Sequence, residues 1–285
     1  MVAVLGLVSA LVYGVSDFLG GISSRRLSPL LAVALTFVVA AACAAIAVAI
    51  EQPVWSARDF LLGLVAGVAG GIGTWAFYAV LAIGPMSVLS PAVAVLYAVI
   101  PAIVGISLGE RLPVVGYLAL VAVAIAAVLL GVSPQRDGRR ITPRALLLAL
   151  VAGLGFAGYI IAIDFTAPES GLVPLLGDYL SGTVIILAAL SVRIARRGRA
   201  AELAGLGRNR ATGFAIIAGA LLAVANILLV VGLHLGDLAV MGVLNSLYPL
   251  STVVLALWLL HERLSVPQWI GIALGLGGAA ALAVV

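Results

Sequence analysis

Ten stretches of about twenty apolar residues follow one another along the chain, at roughly 2–21, 29–50, 60–82, 86–107, 113–132, 145–164, 171–192, 212–233, 238–260 and 267–285. A helix needs about 20 such residues to cross the roughly 30 Å hydrocarbon core of a bilayer. The connections are too short to hold a soluble domain. The runs are continuous rather than alternating, which excludes a transmembrane β-barrel. Hydrophobic residues make up 64% of the chain and charged residues 9%, too little polar surface for a protein dissolved in water. The sequence therefore predicts an all-α integral membrane protein with ten transmembrane helices. The first run has no basic stretch before it and ends in Asp17-Phe18-Leu19-Gly20-Gly21. It reads as a span rather than a cleaved leader. Cys43 is the single cysteine and makes no intramolecular disulfide.

The chain also repeats itself. Glu110-Arg111-Leu112 closes one apolar run and Glu262-Arg263-Leu264 closes another, at an offset of 152. The same offset aligns Ala66-Gly67 with Ala218-Gly219, Gly84 with Gly236 and Val88 with Val240. An offset of 143 aligns Leu7-Val8, Leu11 and Tyr13 with Leu150-Val151, Leu154 and Phe156. Two five-helix repeats are expected, at 1–133 and 145–285, joined by a loop at 134–144. Five spans is an odd number, so the second repeat must be inverted relative to the first. Small residues at Gly63, Gly67 and Gly71, with mates Ala215, Gly219 and Ala223, predict close helix packing within the bundle. Gly153-Leu154-Gly155-Phe156-Ala157-Gly158 satisfies a dinucleotide fingerprint on paper. It lies inside an apolar span with no strand before it, so it too reads as packing.

All fifteen basic residues are arginine. Thirteen of them fall in the odd-numbered loops, and only Arg58 and Arg111 fall on the other side. That bias places the odd loops in the cytoplasm and both termini outside. It does not resemble a nucleic-acid patch, and no nucleic-acid partner is expected. Without lysine no Walker A motif exists, and no cofactor is expected.

Ten spans in two inverted repeats, each with Glu-Arg-Leu after its fourth helix, resemble the EamA family of the drug/metabolite transporter superfamily. Tyr13-Gly14-Val15-Ser16-Asp17-Phe18 is similar to the family's first-helix signature, with Tyr13 where Trp more often stands. Pro91, Pro101 and Pro249 also fit. The resemblance covers the whole chain and implies a multi-pass transporter with a central cavity. It leaves the substrate open, since family members carry amino acids, nucleosides, amines, sugars and drugs. It also implies cytoplasmic termini, the reverse of the charge bias.

A charge at the bilayer centre costs roughly 2.5–3.5 kcal/mol on insertion scales, so polar groups within spans face the bundle interior. In the first span Ser9, Tyr13, Ser16 and Asp17 share a stripe. Thr74 and Tyr78 are one turn apart in the third. Ser90, Tyr97 and Pro101 share a face of the fourth, and Asn245, Tyr248 and Thr252 a face of the ninth. By repeat, Thr74 aligns with Asn226, and Tyr97 with Tyr248 after a one-residue shift. A pseudo-symmetric cavity between the third, fourth, eighth and ninth helices follows, with Tyr13, Asp17, Thr74, Tyr78, Ser90, Tyr97, Asn226, Asn245, Tyr248 and Thr252 as its candidate substrate-binding residues. The prolines free backbone carbonyls, which a membrane tolerates only beside protein or water. The alternative is that these hydroxyls pair with neighbouring backbone.

Asp17 and Asp178 are the carboxylates within spans. Each is a candidate for binding a substrate amine or carrying a coupling proton; the alternative is a hydrated boundary position, paired to Arg25 or Arg26. Asp164, Glu110 and Glu262 are expected to pair at the interface, Arg111 and Arg263 being the nearest partners. His234 and His261 lie near span ends without the clustered ligands that a metal site needs, so no metal is expected. No nucleophile–base constellation marks an enzyme.

The sequence thus points to a secondary transporter and exporter of a small organic metabolite, such as an amino acid or amine. It would act by alternating access, as a monomer, in the plasma (bacterial inner) membrane. The alternatives are a flippase for lipid-linked cargo and a non-transporting membrane scaffold.

Overall fold

The computed structural model describes residues 1–84, 86–109, 111, 113–131, 142–203, 205–207, 210–260 and 265–284. Both Glu-Arg-Leu phrases lie outside these residues except for Arg111, which is exposed. So do His261, Arg263 and most of the expected 134–144 connection.

The described residues form twelve helices and no strand: α1 (Val2–Ser24), α2 (Pro29–Glu51), α3 (Ala57–Ile83), α4 (Met86–Ser107), α5 (Val114–Gly131), α6 (Pro143–Asp164), α7 (Val173–Arg197), α8 (Arg199–Glu202), α9 (Arg210–Leu233), α10 (Leu238–Asn245), α11 (Pro249–Leu259) and α12 (Val266–Val284). A 3-10 turn at Pro168–Ser170 precedes α7. Local chemistry sets the starts. The side chains of Ser28, Ser56 and Thr142 accept the backbone N–H three residues on, and proline stands in the first turn of α2, α6, α7 and α11. Eight segments are long and apolar enough to span a membrane: α1, α2, α3, α4, α6, α7, α9 and the stretch Leu238–Leu259 formed by α10 and α11. α5 and α12 are further apolar helices.

The ninth apolar run is one place where the structure departs from a continuous helix. It breaks between Asn245 and Pro249, where proline offers no N–H to the preceding turn. Tighter bonds take over, from Leu247 N to the Leu244 carbonyl at 3.2 Å and from Tyr248 N to the Asn245 carbonyl at 3.1 Å. Pro91 and Pro101, by contrast, sit inside an unbroken α4.

Three kinds of close approach hold the bundle together. Ser9, Ser16 and Ser23 of α1 donate to the carbonyls of Ala225, Ala218 and Ala211 of α9 at 2.9, 2.8 and 2.9 Å. Steps of seven in opposite senses make α1 and α9 antiparallel, with one buried hydroxyl every second turn. Such bonds are worth about 0.6 kcal/mol each in a membrane. On α3, Gly63, Gly67 and Gly71 lie against Pro174, Asp178 and Gly182 of α7, and a Cβ at Gly63 or Gly67 would strike the α7 backbone. The matching steps make these two helices parallel. Gly155 of α6 lies against Gly73 and Ala69 of α3, so the glycines of the dinucleotide-like phrase do pack helices. The most extensive remaining contacts join α5 to α12, α2 to α7 and α9, α4 to α6, α5 and α10, and α1 to α11.

The outer surface is apolar. Val4, Leu11, Ile46, Leu61, Val65, Leu118, Leu147, Val184 and Val254 are exposed, as lipid-facing positions should be. Trp55, Trp258 and Trp269, near helix ends, are exposed as well, where an aromatic belt would lie. At one end of the bundle three connections are tied together. Glu51 accepts from Leu172 N at 2.9 Å, Asp59 accepts from Ala167 N at 3.3 Å, and Thr166 contacts His234 Nε2 at 3.1 Å.

Candidate functional site

The helices converge around a cavity whose atom-free space, counted with the solvent it opens to, is about 560 Å³. Its wall draws on α1 (Tyr13, Asp17), α2 (Phe37), α3 (Gly70, Thr74), α4 (Tyr97), α6 (Phe156, Tyr159), α7 (Asp178, Tyr179), α9 (Leu222, Asn226), α10 (Asn245) and the break after it (Tyr248).

Asn226 is one organising centre. Its side-chain oxygen accepts from the Tyr13 hydroxyl and from the Tyr159 hydroxyl at 2.6 Å, and its amide donates to the Tyr179 hydroxyl at 2.5 Å. Four helices are pinned by one side chain. The Tyr179 hydroxyl in turn approaches the Leu222 carbonyl at 3.4 Å. Asn245 is the other centre. It donates to the Tyr97 hydroxyl at 2.7 Å, while its own side-chain oxygen is buried with no hydrogen-bond partner among the described residues.

Rings complete the wall. Tyr97, Phe156, Phe77 and Tyr248 form a closed circuit of edge-to-face contacts, with centroids 5.5–6.3 Å apart. Phe37 meets Tyr179 in the same manner at 5.8 Å. These separations suit the ring quadrupoles and fix ring orientation. The two carboxylates enter this aromatic and amide setting from α1 and α7. Asp17 is 7% exposed and Asp178 2%. The ion pairs among the described residues are Arg58–Asp59, Arg193–Glu202 and Arg197–Glu202, none of them in the cavity. Arg25 donates instead to the carbonyls of Leu81 and Gly84 at the end of α3.

Of the residues singled out by sequence, Tyr13, Asp17, Thr74, Tyr97, Asp178, Asn226, Asn245 and Tyr248 line this cavity together. Tyr78, Ser90 and Thr252 stand outside the lining. The Tyr78 ring fills the space beside Gly20, where a Cβ would collide with it. Ser90 is buried, and its carbonyl accepts from the Tyr248 hydroxyl at 3.3 Å. Thr252 donates to the Gly14 carbonyl at 3.0 Å, joining α11 to α1. Ser9 and Ser16, on the expected polar stripe of the first span, face α9 rather than the cavity.

The cavity expected between the third, fourth, eighth and ninth spans, with Tyr13 and Asp17 of the first, has a further wall. α3 packs on both α6 and α7, so those helices supply the facing wall with Phe156, Tyr159, Asp178 and Tyr179. Phe156 was legible as the repeat mate of Tyr13, and Tyr159 lies one turn further on. Phe37, Gly70 and Leu222 carry no signal in an apolar helix.

Residues 143–284 match the EamA-like transporter family. No curated protein matches the chain. A solved structure described only as "Crystal structure of protein" superposes with a TM-score of 0.74 at 20% identity, covering 98% of this chain and 95% of the other. That likeness is one of fold.

Proposed function

Through its residues 143–284 this chain belongs to the EamA-like transporter family, of the drug/metabolite transporter superfamily, and from that premise we propose that it is a secondary transporter, not an enzyme. It exports a small organic metabolite, such as an amino acid or amine, across the plasma membrane as a monomer, by alternating access. The observation that carries this reading is the cavity: a chamber with two buried carboxylates, walled by helices from both halves of the chain. Polar groups are costly in a membrane unless a pathway uses them.

Two inverted five-helix repeats supply the moving parts. Exchanging α1 with α6, α2 with α7, α3 with α9, α4 with α10–α11 and α5 with α12 turns the α1–α9 contact into α6–α3. It turns α2–α9 into α7–α3 and α1–α11 into α6–α4, all of which are present. The contacts α2–α7, α4–α10 and α5–α12 map onto themselves. This exchange symmetry supports a two-fold axis through the cavity, about which the halves would rock. Asp17 and Asp178 are the proposed coupling groups, and the tyrosines and Asn226, Asn245 and Thr74 the substrate contacts.

The test is solute flux in proteoliposomes, with a labelled panel of amino acids, amines, nucleosides and sugars, with and without a proton gradient. Saturable flux of one class is expected, with its proton dependence lost in Asp17→Asn or Asp178→Asn. Folded protein that moves nothing across the panel would turn the assignment toward lipid-linked cargo or a scaffold.

A further inference from the structure

Three properties of the cavity wall agree on what it can hold. Its charge is of one sign: Asp17 and Asp178 line it, no arginine or histidine is among its described lining residues, and the chain contains no lysine. Half of its fourteen described lining residues are aromatic. Among those lining residues, the one buried polar atom without a partner is an acceptor, the Asn245 side-chain oxygen.

A buried carboxylate without a cation is unfavourable, and so is a buried acceptor without a donor. Both deficits are met by the same ligand group. A positively charged nitrogen supplies counter-charge to the aspartates, lies favourably over ring faces, and, where it bears hydrogens, donates to the free amide oxygen. A ligand carboxylate meets the opposite situation. It finds only hydroxyls and amides that are largely engaged with each other, beside two groups of its own sign.

The geometry points to an organic cation as the substrate of this chamber: a primary to quaternary ammonium compound without a carboxylate, held by Asp17 and Asp178 within the aromatic wall. The inference rests on the transporter reading and narrows it, since a zwitterionic amino acid would leave its carboxylate uncompensated. Two carboxylates on different helices also favour a two-headed cation over a one-headed one of equal bulk.

The experiment uses the full chain in lipid nanodiscs and measures equilibrium binding by calorimetry. The probes are choline, putrescine and tetramethylammonium, with glycine betaine as the matched zwitterion, which shares the trimethylammonium head of choline and adds a carboxylate. At least one cation is expected to bind saturably, with choline or putrescine about tenfold or more tighter than glycine betaine. Asp178→Asn and Asp17→Asn, checked for a single monodisperse species, should each weaken that binding about tenfold or more. Glycine betaine binding as tightly as choline, or no saturable binding of any cation, would overturn the inference; neither outcome depends on a variant folding. Flux in proteoliposomes separates the two claims. Flux of a neutral or anionic solute without cation binding sinks the inference and keeps the transporter. Cation binding without flux of any solute keeps the site and sinks the transporter.

Discussion

Asn245 donates its amide to the Tyr97 hydroxyl at 2.7 Å and thereby turns its own oxygen into a buried acceptor with no partner among the described residues. In this arrangement the unpaired end of the amide is its oxygen. Asn245 closes α10 just where the helix breaks before Pro249, so the break places Asn245 on the cavity wall.

If that oxygen receives a donor from the substrate, Asn245→Leu raises KM for the transported solute about tenfold, the worth of one buried bond of about 1.4 kcal/mol. Tyr97→Phe removes the internal bond but keeps the oxygen, and should raise KM less. Initial-rate flux for both variants decides. An equal rise in the two would assign Asn245 to holding Tyr97 in place and nothing more.

The Asn226 clamp makes a prediction about coupling. Asn226 holds Tyr13, Tyr159 and Tyr179, from α1, α6 and α7. Removing the amide leaves three hydroxyls seeking partners, so the effects of Asn226→Ala and Tyr159→Phe on thermal stability should not add. A coupling energy of about 1 kcal/mol is expected from the double-mutant cycle. Additive losses would mean that the tyrosines find other partners at once.

These two centres show how far the sequence was legible. Apolar helices follow from the apolar runs, because that signal is local, but the division of the ninth run into α10 and α11 does not. Tyr13, Tyr97, Asn226, Asn245 and Tyr248 were visible as polar groups in apolar surroundings. What was hidden is which neighbour each would find. Ser9, Ser16, Tyr13 and Asp17 look alike along the first span, yet two serve the α9 backbone and two the cavity. A rotation of α1 by less than a turn decides between those fates, and α9 packing sets that rotation. Most of the α6–α7 wall was missed for the same reason: beyond Asp178 and the repeat alignment of Phe156 with Tyr13, Tyr159 and Tyr179 look like ordinary span residues until α3 is seen packed against their helices.

Gly14 explains part of the first-helix phrase. A Cβ there would enter the Tyr248 carbonyl and the Ser251 side chain, at the point where α1 crosses the broken helix. Gly14→Ala should therefore lower stability by about 1–3 kcal/mol, as overpacking does. Gly213, in the first turns of α9, has nothing within 4 Å of the position that an added methyl group would take, so Gly213→Ala should be neutral or slightly stabilising. Melting of the two purified variants in the same detergent is the check. Equal behaviour would mean that the α1–α11 crossing relaxes freely.

His234 gives the fold a dependence on pH. Burial holds its imidazole below the usual value of 6.5, and the carboxylates of Glu51, Asp59 and Glu169 oppose that shift without cancelling it. The folded protein therefore prefers neutral His234, in contact with the Thr166 hydroxyl. As pH falls through 6.5 the unfolded chain takes up a proton before the folded one does, so stability must fall with acidification in that window. The contribution is fully present above pH 6.5 and is progressively lost below it, down to the depressed folded value. Melting temperature followed from pH 7.5 to about 5 should decline in the unaltered chain, and decline less in His234→Gln, which keeps a polar partner for Thr166 without titrating. Parallel profiles for the two would show that His234 is not the group through which the fold senses pH.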